Sequence, residues 1–196
     1  DVDIYILELS SFQLETIPEK HLGMDLFDSA VVLNVSEDHM DRYDSIEDYR
    51  KVKETIFAMS KYCVFNKNED LSNEKLKLKP HSKFSLNNPE NNEYGLINEE
   101  GKTFLAQELC SKPNISYRKI MPVEEIKISG KHNYSNILAT LALLEPFALS
   151  DTSLVKAIKS YKGLAHRCEW VAKIGQVDFY NDSKGTNVGA TIAAIE

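Results

Sequence analysis

Two segments near the start of the chain carry side chains suited to binding a hard divalent cation. Residues 34–43 (NVSEDHMDRY) place three carboxylates and an imidazole directly after an apolar run, and Glu8 follows another such run. Mg²⁺ is commonly bound by one or two carboxylates, with water and substrate phosphate as its other ligands. An alternative for residues 34–43 is a helix N-terminus at which acids complement the helix dipole. Because acidic side chains alone repel phosphate, a shared site would need a cation between them and a phosphate ligand.

Two polar segments later in the chain are candidates for binding an anion or a heterocycle. Residues 181–187 (NDSKGTN) lead into a helical pattern, where backbone N–H groups and Lys184 could meet a phosphate or a carboxylate. The same loop is equally typical of an ordinary capped turn. Residues 129–136 (SGKHNYSN) open a helix on which Asn133 and Asn136 share one face. Their amides could hydrogen-bond a planar heterocycle.

Apolar runs separated by a helical pattern predict the sheet that positions these residues. Residues 4–7, 30–35 and 62–66 are such runs and predict buried parallel strands. Ligands of parallel sheets gather at the carboxyl ends of the strands, so we expect the two acidic segments to share one edge. Residues 46–60 have apolar side chains at steps of three and four and predict a helix, with Lys53 beside the apolar stripe.

The remaining elements follow from similar patterns. Residues 66–128 alternate short strands with turn residues and predict a small antiparallel insertion of solvated hairpins. Further helices are predicted at residues 132–144, at residues 153–161 and from residue 188 onward. A linker is predicted at residues 163–167, followed by a hairpin of strands 169–174 and 177–180.

Composition excludes several classes of protein. The 196 residues include 23 Lys and Arg against 30 Asp and Glu, a net charge of −7, so we expect no nucleic acid partner. The longest apolar stretch, residues 137–149, is too short to span a bilayer, so we expect no membrane insertion. The three cysteines contain no Cys-x-x-Cys pair, which is typical of reduced thiols in a cytoplasmic protein.

Five segments whose side chains are suited to binding or catalysis stand in order along the chain: residues 8–15 (ELSSFQLE), 34–43, 130–136 (GKHNYSN), 163–169 (GLAHRCE) and 181–187. Together they closely resemble the Mur ligases of bacterial peptidoglycan synthesis. The resemblance implies an α/β fold like that of P-loop NTPases, with a mostly parallel sheet flanked by helices and a small antiparallel insertion. It also implies a central ATPase domain at residues 1–163, followed by a hinge and the beginning of a second α/β domain at residues 164–196.

The resemblance also implies a reaction. In Mur ligases a substrate carboxylate attacks the γ-phosphate of ATP, and the amine of an amino acid then displaces phosphate from the acyl phosphate. Mg²⁺ reduces the repulsion between the two reacting anions. The first two segments look most like the family member that joins D-glutamate to UDP-N-acetylmuramoyl-L-alanine. These two molecules and ATP are therefore the implied substrates.

Catalytic and metal-binding roles are implied for side chains that match the family. Glu8 and His39 would ligate Mg²⁺, and Lys53 would ligate it as a carbamate formed with carbon dioxide. A lysine cation would be repelled by magnesium ions, which gives the modification a physical reason. Without the resemblance, Lys53 is typical of a solvated helix lysine. The side chains implied to be catalytic are Lys53, His39 and Lys184.

Other matching side chains are implied to bind the substrates. Those on the nucleotide would be Asn133, Asn136, Arg167 and Asp182. Ser10 would contact the UDP-muramoyl substrate, Thr186 would lie near the reacting carboxylate, and Lys184 would lie near D-glutamate.

One motif of the family has no counterpart in these residues. No Gly-x-x-x-x-Gly-Lys-Ser/Thr phosphate loop occurs. We therefore expect the chain to be a fragment that lacks ligase activity and binds ATP weakly when taken alone. Alternatives for the whole protein are another Mur-type ligase, a folylpolyglutamate-type ligase, or a non-catalytic binding module with the same fold. The sequence does not determine the oligomeric state.

Overall fold

The computed structural model describes residues 3–37, 40–110, 114–128, 130–186 and 188–195. Its main sheet contains six strands, and their order across the sheet is their order along the chain: β1 (Phe27–Val32), β2 (Ser60–Asn66), β3 (His81–Phe84), β4 (Tyr94–Glu99), β5 (Lys102–Cys110) and β6 (Ser116–Pro122). Strands β1 to β4 pair in parallel, and β5 and β6 extend the sheet in antiparallel pairing. The predicted α/β fold class is confirmed.

Five α-helices and a hairpin complete the described fold. The helices are α1 (Ser11–Glu15), α2 (Ile46–Ala58), α3 (Lys131–Leu143), α4 (Asp151–Ser160) and α5 (Val188–Ile195). Short 3₁₀ turns occupy Glu19–His21, Glu74–Leu78, Val123–Glu125 and Glu145–Phe147. Serine side chains cap α1, α2 and α4 by accepting a backbone N–H bond, which satisfies one of the free donors at each helix start.

The core lies on both faces of the main sheet. Alternate residues of a strand point to opposite faces, so Val64 and Phe65 of β2 face opposite sides. Val64 belongs to the cluster that includes Leu138 of α3, whereas Phe65 belongs to the cluster that includes Phe57 of α2. Helices α2 and α3 therefore cover opposite faces, as the continuous apolar strands require.

The strand predicted at residues 4–7 is absent. These residues form no assigned element, and Ile4, Tyr5, Ile6 and Leu7 expose 48% to 88% of their surface. A buried parallel strand needs hydrogen-bonding neighbours and cover on both faces. The described part of the chain gives these four residues neither, so an apolar run alone does not make the strand.

The antiparallel hairpins predicted at residues 66–128 are present, but they are not solvated. Strand β3 pairs in parallel with β2, and β4 to β6 continue the same sheet. Tyr94 of β4, Leu105 of β5 and Met121 of β6 are buried in the cluster under α3. Their apolar faces are covered by the same helix as the parallel strands, which places this region inside the main core.

The predicted C-terminal hairpin is confirmed as a separate two-stranded sheet. Strands β7 (Glu169–Ile174) and β8 (Val177–Asn181) pair in antiparallel, with Gly175 at positive φ in the connecting turn. Cys63 and Cys168 carry free thiols, as expected. Among the described helices, none combines the length and apolar character needed to cross a bilayer.

Candidate functional site

A cavity of about 460 Å³ lies between the start of α3 and the C-terminal hairpin. Four residues predicted for the site line it: Glu8, Asn133, Asn136 and Arg167. They come from three distant segments of the sequence. The fold therefore brings together the first acidic segment, the asparagine pair and the segment that follows the linker.

The lining of this cavity suits a ligand with a heterocycle and negative charge. Lys127, Lys162 and Arg167 supply three cations, whereas Glu8 is the acidic side chain in the lining. Amide groups such as those of Asn133 and Asn136 can both donate to and accept from a base edge. Cations at the wall offset the charge of phosphates. This donor set fits a nucleoside triphosphate.

A magnesium ion also fits this lining, provided that the nucleotide is present. Glu8 offers one carboxylate, and Mg²⁺ usually takes one or two carboxylates together with phosphate oxygens. Among the residues that the structure describes, no three His, Cys, Asp or Glu side chains are grouped to hold a metal ion by themselves. The predicted ligand His39 lies outside the described residues.

The segment that follows β1 is attached to helices α1 and α2. Arg42 forms an ion pair with Glu15 of α1, and its hydrogen bond lowers the pKa of the Glu15 carboxyl. The Tyr43 ring lies 5.0 Å from the Tyr49 ring of α2, centroid to centroid. The Nζ of Lys53, half-buried on α2, lies 4.9 Å from the centre of that same Tyr49 ring. Tyr49 thus contacts both the segment after β1 and Lys53.

The loop at residues 181–186 is bound to the segment that follows the linker. Asp182 accepts a hydrogen bond of 3.0 Å from the backbone N–H of Cys168, which lines the cavity. The backbone N–H of Lys184 donates to the His166 carbonyl at 3.1 Å, and the Asn181 amide contacts His166 Nδ1 at 2.9 Å. Asp182 is therefore positioned beside the cavity through Cys168.

Five predicted site residues are not part of the cavity wall: Ser10, Lys53, Asp182, Lys184 and Thr186. Ser10 is the N-cap of α1, where its Oγ accepts from the backbone N–H of Gln13 and its own N–H donates to the Gln13 side chain. Lys184 and Thr186 are exposed on the loop that follows β8. The cavity wall thus contains three of the four residues predicted to bind the nucleotide, Asn133, Asn136 and Arg167. It does not contain Lys184 or Thr186, which were predicted to lie near D-glutamate and the reacting carboxylate.

Sequence reasoning missed several residues of the wall: Lys127, Tyr161, Lys162, Trp170 and Tyr180. Lys162 directly precedes Gly163, so a cation beside the predicted linker was a usable signal. Trp170 and Tyr180 lie opposite each other in the hairpin. The two-residue turn alone would place Val171 opposite Tyr180, but a bulge between Trp170 and Ala172 shifts the pairing.

The sequence of the chain matches a known protein family over most of its length. The family model described as "Mur ligase middle domain" matches residues 1–144. The chain therefore belongs to the Mur ligase family, and the resemblance inferred from its motifs is confirmed.

Relatives within this family are similar over the whole chain. The chain is 45% identical over 197 aligned residues to the UDP-N-acetylmuramoylalanine--D-glutamate ligase of Pseudomonas aeruginosa. It is 41% identical to the ligase of the same name from Acinetobacter baylyi over 196 aligned residues. These alignments cover 100% and 99% of the chain but 41% of each relative. The chain thus spans less than half the length of the proteins that it resembles.

Solved structures agree with the fold. MurF from Acinetobacter baumannii superposes with a TM-score of 0.63 at 16% identity, covering 85% of this chain and 36% of that one. The UDP-N-acetylmuramate-alanine ligase MurC of Thermotoga maritima gives a TM-score of 0.57 at 17% identity, covering 90% of this chain and 37% of that one. At this identity the likeness supports the shared architecture alone.

Proposed function

We propose that the complete protein is an ATP-dependent ligase that joins D-glutamate to UDP-N-acetylmuramoyl-L-alanine through an acyl phosphate. One observation carries this proposal: a single cavity is lined by Glu8, Asn133, Asn136 and Arg167. Membership of the Mur ligase family and the 40–45% identity to D-glutamate ligases support the same activity.

The cavity would hold ATP between two domains, one at residues 1–163 and the other beginning at residue 164. Asn133 and Asn136 would hydrogen-bond the edge of the adenine ring. Arg167 would contact the phosphate and ribose side of the nucleotide, since a guanidinium can donate two parallel bonds to phosphate. Asp182, which accepts from the Cys168 N–H beside the cavity, would support the same end of the nucleotide.

The acidic segments and Lys53 would hold the reacting groups. Glu8 and His39 would bind Mg²⁺, and Lys53 would complete that site as a carbamate. Bound Mg²⁺ would offset the negative charges of the phosphates and of the substrate carboxylate. Ser10 would orient the UDP-muramoyl substrate, while Lys184 and Thr186 would bind D-glutamate and the reacting carboxylate from the loop after β8.

An amino-acid panel tests the proposed reaction. The complete protein is incubated with UDP-N-acetylmuramoyl-L-alanine, ATP and Mg²⁺ together with one amino acid at a time, and phosphate release and product mass are measured. We expect D-glutamate to be ligated, with no product when ATP or Mg²⁺ is omitted. Ligation of a different amino acid would identify another Mur-type ligase. Nucleotide binding without any ligation would instead support a non-catalytic module.

A matched pair of variants connects this activity to the cavity. Glu8→Gln removes the carboxylate charge at the wall and should lower kcat by at least about tenfold, as expected when a metal ligand is weakened. Glu19→Gln makes the same change at an exposed residue outside the cavity and should leave kcat unchanged. Equal activity of the two variants would contradict the proposed role of Glu8.

A further inference from the structure

Two aromatic side chains of the C-terminal hairpin form part of the cavity wall. Trp170 of β7 and Tyr180 of β8 are directly opposite in the strand register, so both project from the same face of the hairpin. Both line the cavity, and each leaves more than half of its surface exposed, 55% for Trp170 and 54% for Tyr180. Large aromatic faces left uncovered at a cavity are typical of positions that a ligand covers.

A hydrogen bond to the neighbouring strand holds the orientation of the Trp170 ring. Its Nε1–H donates a hydrogen bond of 2.9 Å to Asp178 Oδ1 on the neighbouring strand. Lys173 Nζ binds the other oxygen of the same carboxylate at 3.1 Å. The hydrogen bond from Trp170 lowers the pKa of Asp178, so the carboxylate stays ionised and remains an acceptor at neutral pH. The polar edge of the indole is thus satisfied within the hairpin.

The rest of the cavity offers complementary groups for a nucleobase. A base presents polar atoms at its edge and an apolar π-face, and the two need different partners. Asn133 and Asn136 at the wall supply amides for the edge. In the same cavity, Trp170 and Tyr180 supply π-surface for the face, and Arg167 supplies positive charge for a phosphate.

We propose that Trp170, supported by Tyr180, is the surface on which the base of the bound nucleotide stacks. This inference rests on the proposed function, because it names the residue that binds the base of the ATP used by the ligase. Asp178 is then a positioning residue, which acts by holding the Trp170 ring.

Kinetics of the complete protein test the contribution of the ring. Trp170→Ala should raise KM for ATP about tenfold while kcat changes by less than about twofold, since base stacking on an aromatic ring contributes to binding. Trp170→Phe keeps a ring and should stay within about threefold of the wild-type KM. Asp178→Ala keeps the Trp170 ring but removes the hydrogen bond that orients it. The KM for ATP of this variant should therefore lie between those of Trp170→Ala and the wild type.

The matched control is Phe179→Ala, on the same strand as Tyr180. Phe179 is an exposed aromatic residue whose side chain does not line the cavity. It should therefore leave KM for ATP unchanged. If Phe179→Ala raised KM as much as Trp170→Ala, the effect would come from a weakened hairpin and the stacking inference would be wrong.

Fluorescence provides a direct readout that does not depend on turnover. Trp170 is the one tryptophan of the 196 residues. The emission of the complete protein minus that of Trp170→Phe isolates its signal, even if tryptophans lie elsewhere in the protein. ADP should quench this difference signal with saturation. Inorganic triphosphate, which has phosphates but no base, should not quench it.

Failure of the stacking inference and failure of the proposed function give different results. If calorimetry detects ADP binding to the wild type but the difference emission is unchanged and Trp170→Ala binds ADP equally well, only the stacking inference is overturned. If calorimetry detects no nucleotide binding to the wild type, the proposed ligase function fails and the inference fails with it. Quenching by ADP together with weaker binding by Trp170→Ala supports the inference.

Discussion

Ser10 and Lys53 each have a local contact in the fold as well as a role implied by the family. Ser10 caps α1 through a reciprocal pair of bonds with Gln13, which is sufficient to explain a serine at that position. The ammonium of Lys53 faces the Tyr49 ring, which is a favourable contact for a cation. The same residue can thus stabilise a helix and serve a ligand, and only measurements that separate stability from turnover distinguish the two.

Ser10→Ala is expected to lower the free energy of unfolding by about 1 kcal/mol, because the helix start loses its side-chain acceptor. Urea denaturation measures this loss. Ser150→Ala removes the comparable cap of α4 and should cost a similar amount. If Ser10 also contacts the UDP-muramoyl substrate, only Ser10→Ala will raise the KM for that substrate. An equal KM in both variants would restrict Ser10 to its capping role.

Lys53→Ala in the complete protein should reduce kcat by at least about a hundredfold, because the variant cannot form the carbamate proposed to bind Mg²⁺. Lys51→Ala is the matched control, since Lys51 is exposed on the same helix and pairs with Asp48. Labelling with ¹³C-bicarbonate should give a carbamate signal by NMR in the wild type and in Lys51→Ala. Full activity of Lys53→Ala would remove Lys53 from the proposed mechanism.

At the scale of elements, similar apolar patterns have different outcomes. The run at residues 4–7 pairs with no strand among the described residues and remains exposed, whereas β4 and β5 contribute buried residues to the cluster under α3. The difference arises because a strand is stabilised by its neighbours and by what covers its faces, not by its own composition. The antiparallel strands obtain both by continuing the edge of the parallel sheet.

Leu105→Ala tests whether these hairpins belong to the main core. Leu105 is fully buried beneath α3, so its truncation should cost about 2–5 kcal/mol of unfolding free energy in urea denaturation. Leu78→Ala changes a leucine that is 86% exposed and should cost less than about 0.5 kcal/mol. If the two variants had similar stability, the hairpins would contribute little to the core.

At the scale of the whole molecule, the fold combines a covered six-stranded sheet with a two-stranded hairpin that does not join it. The cavity lies where α3 of the first part approaches the hairpin of the second. Its walls are therefore formed by separate elements, and a ligand in the cavity can contact both. The main sheet also buries groups whose pKa values are raised.

Stability should decrease at alkaline pH because of groups buried in the main core. Burial raises the pKa of the Cys63 thiol from its ordinary value of 9.0 to about 11 and that of the Tyr94 hydroxyl from 10.0 to about 12. Above pH 9 the unfolded chain loses these protons before the folded chain does. The stability that they contribute is fully present below pH 9 and is lost as pH rises toward 12.

Urea denaturation at a series of pH values between about 8 and about 11 measures this dependence. This range runs from below the ordinary pKa of the Cys63 thiol up to its raised value. The free energy of unfolding should fall with pH in the wild type. Cys63→Ala has no thiol to titrate, so its decline should be shallower between pH 9 and 11 even though the variant starts less stable. Parallel curves for the two proteins would contradict a role for Cys63.

The sequence by itself determined those secondary-structure elements that depend on residues close together in the chain. It also determined which segments carry side chains suited to binding or catalysis. The helix α2 and the hairpin turn at Gly175 follow from apolar spacing and turn residues that lie close together in the chain. The family is also recoverable from the sequence, because it depends on short motifs in a fixed order.

Only the tertiary structure decided which side chains share the cavity. The absence of a strand at residues 4–7 and the presence of Lys162 and Asn133 in one cavity wall depend on contacts between distant segments. The bulge that places Trp170 opposite Tyr180 depends on how two strands pair. Such contacts form when backbone pairing and burial are satisfied over the whole chain at once. No local window of sequence contains that information.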